Sequence, residues 1–353
     1  RNGNRERSLT TRIGKIELQV PRHRNQPFKT MIFENYSRSE SALISCMVEM
    51  VLNGVSTRKV SKVVETLCGT SYSKSTVSDL CKELDQKVKE FRTRPITGEY
   101  PFLTIDATYF KARENHRIIS KAFMIAYATD DQGHREILGF GVYANESKET
   151  WKSFIRDLKA RGLRNVLMIT SDAHEGLCDA ISKEFPQAAW QRCQFHFSKN
   201  IAEKAPKKYQ AGIRSELSEM FNCITIEEAR RKRDSIIADY QEVAESAMTC
   251  LDEGFESSMT AMILPKYLRQ YFRTSNHIER INRELKRRSK VIGVFPNEAS
   301  ILRLMGSVLM ELNDAAQARK VLFSPKTYNK LMSTEVKNKL IILANEQQLL
   351  RVS

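Results

Sequence analysis

No stretch of these 353 residues approaches the ~18 consecutive apolar residues of a membrane-spanning helix, which argues against a membrane role. The seven cysteines, Cys46, Cys68, Cys81, Cys178, Cys193, Cys223 and Cys250, are odd in number and contain no C-x-x-C pair. A disulfide framework and a four-cysteine zinc site are therefore unsupported, and most of these residues read as small core side chains. Internal repeats and low-complexity tracts are absent, which leaves solenoids and repeat arrays without a basis. No apolar leader follows Arg1, so secretion has no support and a reducing, cytoplasmic setting is expected; without an initial methionine, a missing N-terminal piece is expected too. What the chain does have is length enough for two or three domains and an excess of positive charge. Its 57 Lys and Arg against 42 Asp and Glu give a formal charge of +15. A polyanion gains affinity for such a chain by releasing counterions, although ribosomal, membrane-surface and merely well-solvated proteins share the balance.

Residues 1–40 hold nine Lys or Arg against four Asp or Glu, with one alternating pattern, Ile13, Ile16, Leu18 and Val20, before Pro21. They read as a basic arm with one strand or hairpin. Residues 41–94 turn helical. SALISCMVEMVLNG ends at Gly54, and STRKVSKVVETLCG runs from Ser56 to Gly69. SKSTVSDLCKELDQKVKEF follows as a further helix capped by Ser73 or Ser75. The last two form a helix-turn-helix candidate, whose second helix opens with Lys74, Ser75, Thr76 and Ser78, side chains suited to phosphates and base edges in a major groove. An ordinary helical hairpin with a polar face fits the same pattern.

Pro95 and Gly98 mark a boundary, after which the period changes. YPFLTIDATYFKA, RIISKAFMIAYATD and REILGFGVYAN read as three strands in a meander. A helix from Ser147 to Gly162, the strand NVLMIT, the helix HEGLCDAISKEFP and the short strand AAWQR follow. This βββαβαβ order over 95–197 is that of a ribonuclease-H-like core, a mixed five-stranded sheet with helices, by analogy of topology. Residues 198–262 read as an all-helical insertion, 263–325 as the return of the core with a helix around Glu279, and 326–353 as a helical tail.

Three acids stand where phosphoryl transfer would need them. Two divalent cations held by carboxylates can activate an attacking oxygen and stabilise a leaving one, so acids must converge from separate elements. Asp106 ends the apolar run LTID, where a core-facing charge is costly unless it meets a cation. Asp172 lies where the fourth strand leaves the sheet, the edge at which open α/β sheets hold ligands. Glu279 lies in a stretch, Arg269 to Lys290, with eight Lys or Arg and two acids. Each also has a structural reading: a solvated strand end for Asp106, the cap of the helix at His174 for Asp172, an i,i+4 partner of Arg283 for Glu279. Asn276, Arg280, Arg283 and Arg287 recur at helical spacing on one face and suit a phosphate backbone, or a solvated charge face. Tyr109, Lys111 and Arg113 follow Asp106 at period two; Lys111 and Arg113 could steady DNA or flank the core. Trp151 and Trp190 read as core anchors.

The motifs resemble the Mutator superfamily of DDE transposases in its bacterial insertion-sequence branch, over nearly the whole chain. The resemblance is carried by GVSTRKVSKVVETLCG and SKSTVSDLCKELD, by TIDATYFKAR, GFGVYANESKETW, TSDAHEGL and RCQFHFSKN, and by RTSNHIERINRELKRR. It implies a catalytic and metal-binding triad of Asp106, Asp172 and Glu279, with two Mg²⁺ ions that Mn²⁺ can replace. It also implies cleavage at the ends of a mobile element and joining of the freed 3′-hydroxyl to another strand. A helical insertion before the glutamate is implied as well, and the 107 positions from Asp172 to Glu279, against 66 from Asp106 to Asp172, match it. The partners expected are double-stranded DNA, both element ends and target, and further copies of the chain in a dimer or larger assembly, in a bacterial, nucleoid-associated setting. Only the motif around Asn276 and Arg283 selects Glu279 over Glu284. Cys193 and His196 form a C-x-x-H pair, two ligands where a structural zinc site wants four. They read as lying behind the acids, with His196 touching the scissile phosphate or bracing the metal site, or as a buried structural pair. Two other readings remain: a ribonuclease-H-like nuclease without strand joining, and a transposase-derived DNA-binding regulator.

Overall fold

Alternating apolar residues near the N-terminus pair as two strands, β1 (Asn4–Thr11) and β2 (Gly14–Pro21), an antiparallel hairpin that sets Leu9 opposite Ile16. The computed structural model describes residues 3–11, 14–21, 41–68 and 72–352, so the remainder of the basic arm and the Gly69–Ser71 part of the helix-turn-helix candidate lie outside the described residues. The chain divides into two units, Arg1–Phe91 with Arg283–Val308, and Arg92–Asn282 with Leu309–Ser353.

In the first unit, α1 (Ser41–Leu52), α2 (Thr57–Cys68) and α3 (Lys74–Leu80) bury one small core. Leu43 and Met47, then Val60 and Val64, recur four residues apart, so each pair lies on one helix face and packs with Val77. Ser73 caps α3, its Oγ accepting from the Thr76 amide at 3.0 Å. The helix expected to run on from here is broken. A 3-10 turn at Cys81–Glu83 separates α3 from α4 (Leu84–Thr93), because the backbone tightens to i→i+3 bonding there.

The second unit is mixed α/β. β3 (Phe102–Glu114), β4 (Arg117–Thr129) and β5 (Arg135–Tyr143) form an antiparallel meander. Asn115 and His116 close the first hairpin with φ of 48° and 63°, the doubly left-handed turn whose twist matches the strands. α5 (Lys148–Ala160) starts at its cap Ser147 and stops before Gly162, at φ +116°. Next come β6 (Met168–Ser171), α6 (Glu175–Glu184) and β7 (Ala189–Arg192). β6 pairs parallel to β3, and β7 parallel to β6, giving the order β5-β4-β3-β6-β7.

Four helices follow, α7 (Gln194–Lys204), α8 (Lys207–Phe221), α9 (Ile226–Tyr240) and α10 (Glu245–Ser258), around a core of their own that includes Phe197, Leu217, Ile236 and Phe255. Gly254 lets α10 approach α7: a Cβ there would lie 2.3 Å from the Phe197 ring. After them come α11 (Lys266–Phe272), α12 (Asn276–Ser289), the two-residue strand β8 (Val294–Phe295), α13 (Glu298–Gln317), α14 (Pro325–Leu331) and α15 (Thr334–Val352).

Helices cover both faces of the sheet. On one, Leu103, Ile105 and Ile169 pack with Trp151, Phe154 and Ile181 of α5 and α6. On the other, Phe102, Met168 and Ala189 meet Leu268 and Phe272 of α11 and Leu340 of α15. Each of these buried large side chains contributes roughly 1.5–3 kcal/mol by leaving water, which makes the sheet a rigid base for whatever its polar positions hold. Among the described residues no helix is long and apolar enough to cross a membrane.

Candidate active site

The parallel ladder of β3 and β6 matches Phe102 with Met168, Leu103 with Ile169 and Thr104 with Thr170. Asp106 and Asp172 each lie two residues beyond the last matched pair, and the Asp172 charge acts on Asp106. Alternation along β3 puts Asp106 on the face that carries Phe102. Asp106 does not end its strand, because β3 runs on to Glu114 under thirteen-residue pairing with β4; it sits mid-strand and half-buried. Asp172 lies one residue past the end of β6. It is not the cap of α6: that helix begins after His174, and the Asp172 Oδ1 accepts only from the neighbouring Ala173 amide, at 2.7 Å, among the hydrogen bonds of the described residues.

Burial raises the Asp106 pKa to about 7; the Asp172 and Glu146 charges add to this, while His196 and the Ala107 amide oppose it. One oxygen, Oδ1, accepts from Ala107 N at 2.9 Å, and the other, Oδ2, accepts from Asn282 Nδ2 at 2.9 Å. Asn282 belongs to α12, three residues on from Glu279, and so presents the same stripe of the helix. Glu279 Oε1 accepts from the Ser275 hydroxyl at 3.1 Å.

Glu284 has a different fate. It accepts two bonds from Arg287, at 2.7 and 2.6 Å, and one from Arg288 at 2.7 Å, and these arginines hold its pKa down at about 2.

Cys193 and His196 open α7, next to the same acids. The buried Cys193 takes its amide bond to Ser171 O at 2.8 Å, and its sulfur receives the Ser275 amide at 3.3 Å and lies 3.2 Å from the Ser275 hydroxyl. Ser275 thus joins Cys193 to Glu279. His196 has its pKa lifted to about 9, first by a hydrogen bond with the Cys193 sulfur and then by the nearby charges, Asp172 and Asp106 among them, against the cost of burial. One ligand atom each from Cys193, His196 and Glu279 lies within 4.8 Å of the other two.

The residues expected to touch DNA are all at the surface. Asn276, Arg280, Arg283 and Arg287 are exposed along α12, opposite the buried stripe Ile278, Ile281 and Leu285, although Arg287 is engaged by Glu284. Lys74, Ser75, Thr76 and Ser78 are exposed on α3, with the Ser75 and Thr76 hydroxyls bonded to Ser73 at 2.6 and 2.8 Å. Tyr109, Lys111 and Arg113 are exposed and share one face of β3, but strand alternation makes it the face opposite Asp106.

Asn282, Ser275 and Glu146 were not picked out from sequence. Asn282 and Ser275 had one usable signal, their places three residues after and four before Glu279 within RTSNHIERINRELKRR, and Glu146 lies within GFGVYANESKETW.

The transposase, Mutator family model matches residues 1–318. The chain belongs to that family. It is similar to the transposase for insertion sequence element IS256 in transposon Tn4001 of Staphylococcus aureus, 44% identical over 89% of this chain and 81% of the relative. The transposase for insertion sequence element IS1081 of Mycobacterium tuberculosis is 38% identical over 89% of this chain and 76% of its own length. The transposase for insertion sequence element ISRM5 of Rhizobium meliloti is 37% identical, with 89% and 79% covered.

Proposed function

We propose that this chain is a DNA transposase of the DDE type, with a ribonuclease-H-like core in which Asp106, Asp172 and Glu279 hold two divalent cations. The observation that carries this reading is the nearness of the Asp106 and Asp172 charges, each two residues beyond the last matched pair of β3 and β6, with the helix of Glu279 tied to Asp106 through Asn282. The donor set fits Mg²⁺ or Mn²⁺: the ligands are carboxylate oxygens, and a carboxyl whose pKa burial lifts to about 7 is one that a cation would ionise. Glu284, committed to Arg287 and Arg288, is the poorer third ligand.

When bound, the two cations supply the positive charge that activates an attacking oxygen and stabilises a leaving one. Asn282 holds one Asp106 oxygen by donating to it, which fixes the direction of the carboxyl. Ser275 does the same for Glu279. His196, kept protonated at neutral pH, offers a positive hydrogen-bond donor beside the acids for a phosphate oxygen. Arg280 and Arg283, exposed on α12, are placed to grip the DNA backbone. The exposed N-terminal residues of α3 serve as the helix-turn-helix contact to element ends, and the basic arm adds sequence-independent grip. The helical insertion extends the DNA or dimer interface, and handling two ends calls for a dimer or larger assembly.

Pre-cut terminal DNA of the encoding element, target DNA and Mg²⁺ test the reading directly. Covalent joint products are expected, whereas a nuclease of the same fold yields hydrolysis alone. Single Ala substitutions at Asp106, Asp172 or Glu279 should reduce cutting at least a thousandfold, on the order expected for removing a ligand of a catalytic metal, while end binding persists. Substantial residual cutting overturns the triad.

A further inference from the structure

The oxygen ligands proposed above suit hard cations, but the neighbouring group Cys193, His196 and Glu279 offers sulfur, nitrogen and oxygen. That is the donor set of a softer, zinc-class ion. C-x-x-H alone provides two ligands; the fold brings Glu279 in as a third and leaves the fourth position open. The sulfur is buried and receives the Ser275 amide at 3.3 Å, with the Ser275 hydroxyl 3.2 Å away, so it is held in place by groups behind it. His196 Nδ1 is buried without a hydrogen-bond partner among the described residues, where a buried ring nitrogen ordinarily has one. The ligand atoms around a tetrahedral zinc lie roughly 3.3–3.6 Å apart, given its usual bond lengths. From separations within 4.8 Å the group would close by about 1.5 Å at most, a movement within the torsional reach of His and Glu side chains.

We propose that Cys193, His196 and Glu279 form a site for one soft divalent cation of the Zn²⁺ class, distinct from the Asp106 and Asp172 pair but sharing Glu279 with the catalytic set. Resting on the reading of Glu279 as the third catalytic acid, an ion bound here holds that carboxylate away from the two aspartates and competes with Mg²⁺ activation. The site is thus an inhibitory one.

The probe is Co²⁺, whose near-ultraviolet charge-transfer absorption reports a thiolate ligand. Titrating the full chain, stripped by a chelator, should give one equivalent of Co²⁺ with that band, displaced by one equivalent of Zn²⁺. Cys193→Ser should abolish the band, His196→Asn should weaken Co²⁺ binding about ten- to a hundredfold, and Asp106→Asn should leave both unchanged. No band in the unmodified chain, a band that survives Cys193→Ser, or one lost in Asp106→Asn overturns the proposal. Thermal melting checks the fold of each variant, and if Cys193→Ser does not fold, unchanged Co²⁺ affinity in His196→Asn overturns it equally. Mg²⁺-dependent cutting by the unmodified, zinc-free chain is read separately. A chain that cuts without a Co²⁺ band loses this inference alone, and one that binds Co²⁺ through Cys193 without cutting keeps the cation site and loses the transposase reading, with the inhibitory role that rests on it.

Discussion

A buried carboxyl without a cation works against the fold, and Asp106 is such a group. With its pKa raised from 3.8 to about 7, the folded metal-free chain binds a proton that the unfolded chain has already released across that interval. Its contribution to stability is therefore fully present below about pH 4 and falls as pH rises to about 7. Asp106→Asn removes the penalty, and we expect it to raise the melting temperature in EDTA at pH 8 by a few degrees, on the order of 1 kcal/mol, with the difference shrinking at pH 5. Cutting should be lost in the same variant. Equal melting of the two proteins at pH 8 would count against burial of the acid. Mg²⁺ should narrow the gap by stabilising the unmodified chain alone, which a melting series with added metal would reveal.

The elements were legible from sequence wherever a period ran long enough. β3, β4 and β5 announced themselves as extended runs between turn signals, and α5 through Ser147 and Gly162 at its ends. The break at Cys81–Glu83 did not, because a 3-10 turn and an α-helix share the same local composition. Tyr109, Lys111 and Arg113 were matched to each other correctly, but alternation sets them on the far face from Asp106. The bond from Asn282 to Asp106 could not be read from sequence because it spans 176 residues, and no local pattern encodes such a contact. Glu279 and Glu284 looked alike on one basic helix until their partners were seen. For α3, packing and contact separate cleanly: Val77 is buried in the core of α1 and α2, whereas Lys74 is exposed. Val77→Ala should cost about 1–2 kcal/mol of stability by leaving a cavity. Lys74→Ala should leave melting unchanged yet weaken binding of element-end DNA several-fold. Unchanged end binding in Lys74→Ala would remove α3 as the recognition helix.

For the molecule as a whole, the charge of +15 sets how binding responds to salt. If six or more phosphates are neutralised, affinity for DNA of any sequence should fall roughly a thousandfold or more between about 50 and 200 mM salt. Arg280→Ala should lower the slope of the logarithmic plot by about one, measured by fluorescence anisotropy with a labelled duplex. A slope near zero would mean that the excess charge does not meet phosphate.

The parallel ladder between β3 and β6 has a consequence for how this chain can vary. Strands in a sheet lie about 4.8 Å apart whatever the length of the chain that connects them. The separation of Thr104 and Thr170, the last matched pair before the two acids, is therefore a property of the sheet, and residues added or lost between β5 and β6 would change the count between the acids without changing that separation. Glu279 has no such ruler: its own bond is to Ser275 and its helix is tied to Asp106 through Asn282, so of the three acids it is the one that drift in sequence can move first.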